Sequence, residues 1–262
     1  MIVLGFDTST PVTSVALRLA DGRTAQARDE PDVGGHPGHA TRLLAMAGEL
    51  LREVGVGWSA IERVAVGVGP GTFTGLRVGI ATARGLAQSL SAELVGVSSL
   101  QALAAAALAA GAGGDKDGLC LDGSQPDAIM AVIDARRGEA FAAAYGYSAD
   151  GVPRELTVAR ALGPEDLGSV VAEALESGGA VGRRWLAVGD GALRFLAHLT
   201  GAGVEVVAEF SPLHRVSAEM ICELGAAAEP AASYAEILPD YCRRPDAEIA
   251  LQSAAPGVGA GR

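Results

Sequence analysis

Several stretches of the chain carry residue types at spacings that can support chemistry. Asp7-Thr8-Ser9-Thr10 closes an apolar run that starts at Ile2. Hydroxyls and backbone amides in a tight turn can cradle a phosphate, and an aspartate beside them can position a magnesium ion or a water. Asp7, Thr8 and Ser9 are therefore the candidate nucleotide-binding residues, although the same tetrapeptide also suits a plain turn whose side chains satisfy their own backbone. A second stretch, residues 67–79, runs Gly-Val-Gly-Pro-Gly-Thr-Phe-Thr-Gly-Leu-Arg-Val-Gly. A strand entering a glycine-rich turn and then a helix offers free amides to an anion. The spacing is neither GxGxxG nor that of a P-loop, and the P-loop lysine is missing. Within it Gly71, Gly75, Gly79 and then Ala83 recur every four residues, a smooth stripe on one helix face. Each buried helical glycine costs roughly 1 kcal/mol, so close approach of another helix, internal or from another subunit, is expected to offset it.

Asp134-Ala135-Arg136-Arg137-Gly138-Glu139 reads as a hairpin with two arginines at its tip, suited to phosphate or an acidic partner but also to a solvated turn. Gly189-Asp190-Gly191-Ala192 follows a strand and resembles the adenosine-side turn of actin-type ATPases. The histidines are His36, His39, His198 and His214. None has the helical spacing of a metal pair, and no Ser/His/Asp or Cys/His set has recognisable local spacing. Cys120, Cys222 and Cys242 show no CxxC pair and fit a reducing compartment. No catalytic residue and no metal site is assigned.

The elements that must position these residues follow from periodicity. Residues 2–7 and 14–19 read as strands, Asp21-Gly22 as a hairpin turn, and residues 23–29 as a third strand. Leu43, Leu44, Ala47, Leu50, Leu51 and Val54 have helical spacing, ended by Gly55 and Gly57. Ser59 with Glu62 predicts a capped turn. Strands at 63–69 and 93–97 alternate with helices at 74–90 and 99–110, the last capped by Ser99. Three meandering strands followed by alternating helices and strands make a ribonuclease H-like half. Residues 111–126 read as a linker. A second unit has strands at 128–134 and 139–147, a helix at 164–177, a strand at 185–188, a helix at 191–199, a strand at 204–207 and a helix at 217–228. It resembles a worn copy of the first. The tail after Ala247 reads as disordered. The divisions are thus an N-terminal domain over 1–110, a linker over 111–126, a smaller domain over 127–212, a closing segment over 213–246 and a tail over 247–262.

With 262 residues and close to half of them hydrophobic, the chain can bury a sizeable core. Its net charge of -11 and single lysine, Lys116, leave no basic stripe for nucleic acid. If it serves an RNA reaction, another subunit holds the RNA. The first residues lack a basic leader and read as a strand, and the longest apolar stretch, residues 100–112, is too short to span a bilayer, so a soluble cytoplasmic protein is expected.

Taken together, these segments resemble the bacterial tRNA threonylcarbamoyladenosine biosynthesis family TsaB, also called YeaZ. The resemblance is carried by Asp7-Thr8-Ser9-Thr10, His39 before Leu43-Leu44, residues 66–79, Ala83-Arg84-Gly85-Leu86-Ala87, Gly96-Val97-Ser98-Ser99-Leu100, Asp134-Ala135-Arg136-Arg137-Gly138-Glu139 and Pro239-Asp240-Tyr241-Cys242-Arg243. It implies an α/β protein of the actin/Hsp70-like (ASKHA) fold with two ribonuclease H-like domains. It implies a non-catalytic scaffold and activator that binds the catalytic homologue TsaD, works with the ATPase TsaE, meets tRNA only indirectly and forms a homodimer in isolation. The subunit needs no cofactor of its own, and ATP or ADP can be shared at the partner interface. In TsaD-like enzymes a metal-binding His-x-x-x-His follows the fifth strand; aligned on Gly96-Val97, this chain has Ser99 and Leu103 there, and neither replaces imidazole on a transition metal. The resemblance places the partner and dimer surface on His39, Leu43, Ala47, Thr72, Phe73, Gly75, Arg77, Gly79 and Ala83. The alternative is an enzyme acting alone, an ASKHA ATPase or a metal-dependent transferase or glycoprotease-like hydrolase.

Overall fold

A computed structural model describes residues 1–32, 35–112, 126–148, 152–177 and 184–242. The chain opens with β1 (Val3–Asp7), β2 (Thr13–Arg18) and β3 (Thr24–Asp29), an antiparallel meander. Then come α1 (His39–Glu53), β4 (Arg63–Gly69), α2 (Phe73–Leu90), β5 (Glu93–Ser98) and α3 (Ser99–Ala112). β4 lies parallel to β1, and β5 parallel to β4, giving the sheet order β3-β2-β1-β4-β5. The second half has β6 (Ala128–Arg136), β7 (Glu139–Gly146), β8 (Arg154–Glu155), β9 (Arg160–Leu162), α4 (Gly168–Glu176) and β10 (Trp185–Val188). It closes with α5 (Asp190–Arg194), α6 (Leu196–Gly201), β11 (Val204–Val206) and α7 (Ala218–Ala227).

The second sheet repeats the first. β6 is antiparallel to β7 and parallel to β10, which is parallel to β11, as β1 is to β2, β4 and β5. β8 and β9, both too short to show alternation in the sequence, share the position that β3 holds in the first sheet. α3 follows the last strand of one sheet and α7 the last strand of the other, and both pack between the sheets. Their side chains join β1, β4, β5, β6 and β7 in one core. α1 and α2 cover the outer face of the first sheet, and α4, α5 and α6 the outer face of the second. α3 is alanine-rich and buried on nearly every side, as a helix without a polar face must be.

α7 completes the first half, so the closing segment is part of that domain's core and not an appendage. Its fit is flush: a Cβ on Gly5 would stand 2.5 Å from Cys222 Sγ, and one on Gly225 2.5 Å from Ala65 Cβ. Its C-terminal carbonyls are gathered by one side chain. Arg63, 8% exposed, donates through Nη1 to Gly225 O, Ala226 O and Ala228 O, and pairs with Glu93 through Nη2 at 2.6 Å. A buried guanidinium thereby satisfies the carbonyls that a helix end leaves open.

Local expectations differ in four places. The helix expected at 164–177 begins as a 3-10 turn at Pro164–Asp166 before α4. The helix expected at 191–199 breaks at Phe195 into α5 and α6. Ser59 caps nothing: Gly57 precedes the short turn Trp58–Ala60, and Glu62 instead accepts from Ile2 N. Ser99 is not the cap of α3 either; Ser98 Oγ accepts from Gln101 N. Residues 113–125, within the expected linker, and the tail lie outside the described residues.

The glycine stripe begins before α2, at Gly71, and continues on the helix at Gly75 and Gly79; its partner is not the expected helix. A Cβ on Gly71 would lie 2.3 Å from Ser9 O, on Gly75 1.9 Å from Thr8 O, and on Gly79 2.3 Å from Thr8 Oγ1. The three glycines admit the β1–β2 turn of the same chain. Gly75→Ala is expected to cost at least about 2 kcal/mol, as overpacking does, because the obstacle is backbone. Gly85→Ala on the open face of α2, where nothing lies within 4 Å, is expected to gain roughly 0.5–1 kcal/mol. Thermal or urea unfolding of the two variants checks the contrast.

Candidate functional site

The strands β1, β4 and β5 end together, and the candidate site is the buried polar cluster at that edge. Asp7, the last residue of β1, is 1% exposed. Its Oδ1 accepts from Ser9 N at 2.8 Å and from Ser9 Oγ at 2.7 Å, and its Oδ2 accepts from Ser99 Oγ at 2.7 Å. Gly67 on β4 makes the space: a Cβ there would fall 1.8 Å from Asp7 Oδ2. Burial raises the Asp7 carboxyl above its ordinary range, while the bonds from Ser99 and Ser9 pull it down.

Thr8 is fully buried and its hydroxyl donates to Gly75 O at 2.7 Å; Ser9 O accepts from Thr72 N at 2.7 Å. The Asp7 carboxylate, the Thr8 and Ser9 hydroxyls and the Ser9 backbone N and O are thus engaged within the chain, and a phosphate cradle at Asp7, Thr8 and Ser9 would have to share or exchange these bonds. His39, the first residue of α1, joins the cluster at 5% exposure, with Nδ1 2.9 Å from Thr13 Oγ1. Its Nε2 is buried and has no hydrogen-bond partner among the described residues. Burial lowers its pKa from the ordinary imidazole value, against the pull of the Asp7 and Asp29 carboxylates.

The expected partner surface divides in two. His39, Leu43, Ala47, Gly75, Gly79 and Ala83 are all buried within the chain, so they shape α1 and α2 but present nothing to a neighbour. This corrects the reading of the stripe as a subunit surface. Phe73 and Arg77 are exposed and Thr72 is half-buried. The outer faces of the same helices carry Leu44, 49% exposed, with Ala45, Ala81 and Gly85.

Sequence reasoning missed the role of Ser99 as a donor to Asp7 and the participation of Thr13, since each depends on a contact across the sheet. It also missed how the closing segment is seated. Tyr241 stacks on Phe73 at 5.4 Å between ring centroids and its hydroxyl accepts from Arg77 Nε at 3.1 Å, while the Arg77 guanidinium lies 3.7 Å above the Phe73 ring. Asp240 N donates to Val68 O, and Arg84 reaches Ala235 O and Ile237 O.

Two sheets of one plan with helices on their outer faces are those of the actin/Hsp70-like (ASKHA) fold, and the family model places the chain in the TsaD-like class within it. The family model described as TsaD, tRNA N6-adenosine threonylcarbamoyltransferase, matches residues 31–251. The tRNA threonylcarbamoyladenosine biosynthesis protein TsaB of Escherichia coli is 33% identical over 193 residues, 73% of this chain and 72% of that protein. The Haemophilus influenzae TsaB is 33% identical over 141 residues, 54% of this chain and 52% of that protein. Among solved structures, YeaZ from Pseudomonas aeruginosa superposes with a TM-score of 0.70 at 30% identity, covering 92% of this chain and 99% of that one. The chain belongs to the TsaB/YeaZ family. Among the described residues no helix is long and apolar enough to cross a membrane.

The buried carboxyls give a pH signature. A folded-state pKa raised above the unfolded value means that the folded form holds its proton more tightly. The contribution is full at low pH and is lost as pH rises through the raised value. For Asp190, which burial pushes up to about 6 from 3.8, the loss spans that interval and amounts to about 3 kcal/mol. Asp190→Asn is expected to flatten stability over this window, and Asp7→Asn to flatten it from the ordinary carboxylate range upward. Urea unfolding from pH 4 to 8, compared with the parent chain, reads both.

Proposed function

We propose that this chain is a non-catalytic scaffold and activator in the formation of threonylcarbamoyladenosine on tRNA. It binds a TsaD-like catalytic subunit and works with a TsaE-like ATPase, while other subunits hold the tRNA. The observation that carries the reading is the state of Asp7. A carboxylate that accepts three hydrogen bonds inside the chain, one of them from Ser99, has little left to offer a phosphate-bound cation. Aligned on Gly96-Val97 as the family resemblance implies, Ser99 and Leu103, both buried, take the positions of the metal-binding histidines of TsaD-like enzymes, which supports the reading. The subunit accordingly needs no cofactor of its own, and any ATP or ADP in the assembly is held chiefly by groups of the partner.

The outer faces of α1 and α2 support the binding role. Leu44 on α1 is a large apolar side chain half exposed to solvent, Phe73 at the start of α2 is partly covered by Tyr241 and Arg77, and Ala45, Ala81 and Gly85 are exposed small residues of the same two helices. A helix pair with such faces suits either a second copy of the chain or the homologous catalytic subunit, so the homodimer and the heteromeric complex compete for it.

Mixing the protein with the TsaD-like subunit of its own organism and measuring complex mass by size-exclusion chromatography with light scattering is the direct test. A heteromeric complex is expected. Leu44→Arg combined with Ala81→Arg is expected to abolish it, and self-association with it, at unchanged thermal stability. Asp7→Asn is expected to leave both assembly and tRNA modification by the reconstituted enzyme intact. Loss of modification with assembly preserved would instead give Asp7 a part in the chemistry, and absence of any complex with the parent chain would return the independent-enzyme reading.

A further inference from the structure

The hairpin between β6 and β7 is built against its own backbone preference. Its strands are out of step between Asp134 and Arg136, a bulge, and the tip residues Arg136, Arg137 and Gly138 have φ of 64°, 53° and 83°. Tight hairpins with a bulge need positive φ at such positions, and Gly or Asn supplies it at least cost. Here Arg136 and Arg137 occupy two of the three, although a Cβ is crowded in that region. A turn retained only as a turn would not need arginine twice; an outlier of this kind points to the side chains.

The tip is also braced from below. Arg136 N donates to Asp134 Oδ1 at 2.8 Å, and Asp134 N donates to Asp190 Oδ1 at 3.0 Å. Asp134 Oδ2 lies 3.5 Å from Arg136 Nη1 and 3.3 Å from Arg194 Nη1, the latter arriving from α5. The Asp134 side chain is only 9% exposed, whereas those of Arg136 and Arg194 remain 55% and 48% exposed, and Arg137 is exposed beside them. Glu139 flanks the tip as the other acid of the hairpin. One largely buried carboxylate therefore anchors two guanidinium groups that still face solvent, with a third adjacent, in a chain whose net charge is -11.

Arginine forks match carboxylate and phosphate alike. A nucleic-acid strand would need a longer run of cations and would meet the repulsion of the whole acidic chain. A short acidic segment needs only the two or three forks present. We infer that the Arg136-Arg137 hairpin tip, with Arg194, is a docking element for a carboxylate-rich segment of a protein partner, separate from the faces of α1 and α2.

The test uses the full chain, its Arg136→Gly/Arg137→Gly double variant and a separate Arg194→Gln variant. Each is titrated by fluorescence anisotropy with a labelled short polyglutamate peptide and with a labelled oligouridylate of equal charge. The double variant is expected to melt at the parent temperature or a few degrees higher, because glycine relaxes the turn, yet to bind the peptide at least about tenfold more weakly. Arg194→Gln is expected to weaken the peptide in the same direction. Failure of the parent chain to bind the peptide, equal binding by the variants, a lowered melting temperature in the double variant, or hairpin-dependent binding of the oligouridylate would each overturn the inference. No other subunit takes part in the titration, so its outcome is independent of whether the complex with a TsaD-like subunit forms.

Discussion

The structure depends on how closely the turn after β1 can approach α2. Thr8 lies against Gly75 and Gly79 of the helix, and Ser9 against Gly71 just before it, at distances that no Cβ would allow; the contact is sealed by Thr8 Oγ1 donating to Gly75 O and Thr72 N donating to Ser9 O. This seat determines where Asp7 points. With the turn drawn onto α2, the carboxylate faces inward toward Gly67 and Ser99, and the cost of burying it is offset by three donors. The helix gives up propensity at Gly75 and Gly79 to gain this fit. The same contact holds α2 close to the sheet, with α1 beside it, and so sets the shape of the outer surface that the proposed function uses.

The second half solves the same problem with different residues. There the turn after β10 approaches β6: a Cβ on Gly189 would lie 2.1 Å from Val132 O, and one on Gly191 2.8 Å from Ile133 C. Gly69, the last residue of β4, and Gly189, the residue after β10, stand at matching ends of the two parallel neighbours of the central strands, and both adopt positive φ, 110° and 104°. Asp134 lies near the end of β6, just before its bulge, as Asp7 ends β1, but its carboxylate turns to arginines instead of serines. The two halves thus share a backbone plan while their polar chemistry has diverged.

Much of the fold was legible because it is written in periodicities. The meander of β1 to β3, the alternation of α1, β4, α2, β5 and α3, and the hairpin of β6 and β7 fall where alternation and helical spacing put them. What was not legible depends on contacts across long sequence separations. The stripe on α2 announced a close neighbour, but glycine spacing alone cannot say whether helix, turn or another chain fills it; Thr8 does. Ser99 looked like a cap because caps are local, and its bond to Asp7 spans 92 residues. The residues chosen for a subunit surface, such as Leu43, Ala47 and Gly79, had the right helices but the inward face, since apolar spacing marks what is buried before it marks what is shared. Family membership was legible because it rests on ordered motifs and not on any one contact.

The placement of α7 has a consequence for how the chain is made. Cys222 Sγ lies against Val3 O and Ala16 O, partners more than two hundred residues away in sequence, and Arg63 waits for carbonyls at 225 to 228. During synthesis, which proceeds from the N-terminus, the first sheet emerges early with the apolar face meant for α3 and α7 still uncovered. Native closure of that half therefore waits until α7 has left the ribosome, well after its own strands. Until then the apolar face of the first sheet is open to wrong contacts, because long-range pairing must close a large loop before it is rewarded.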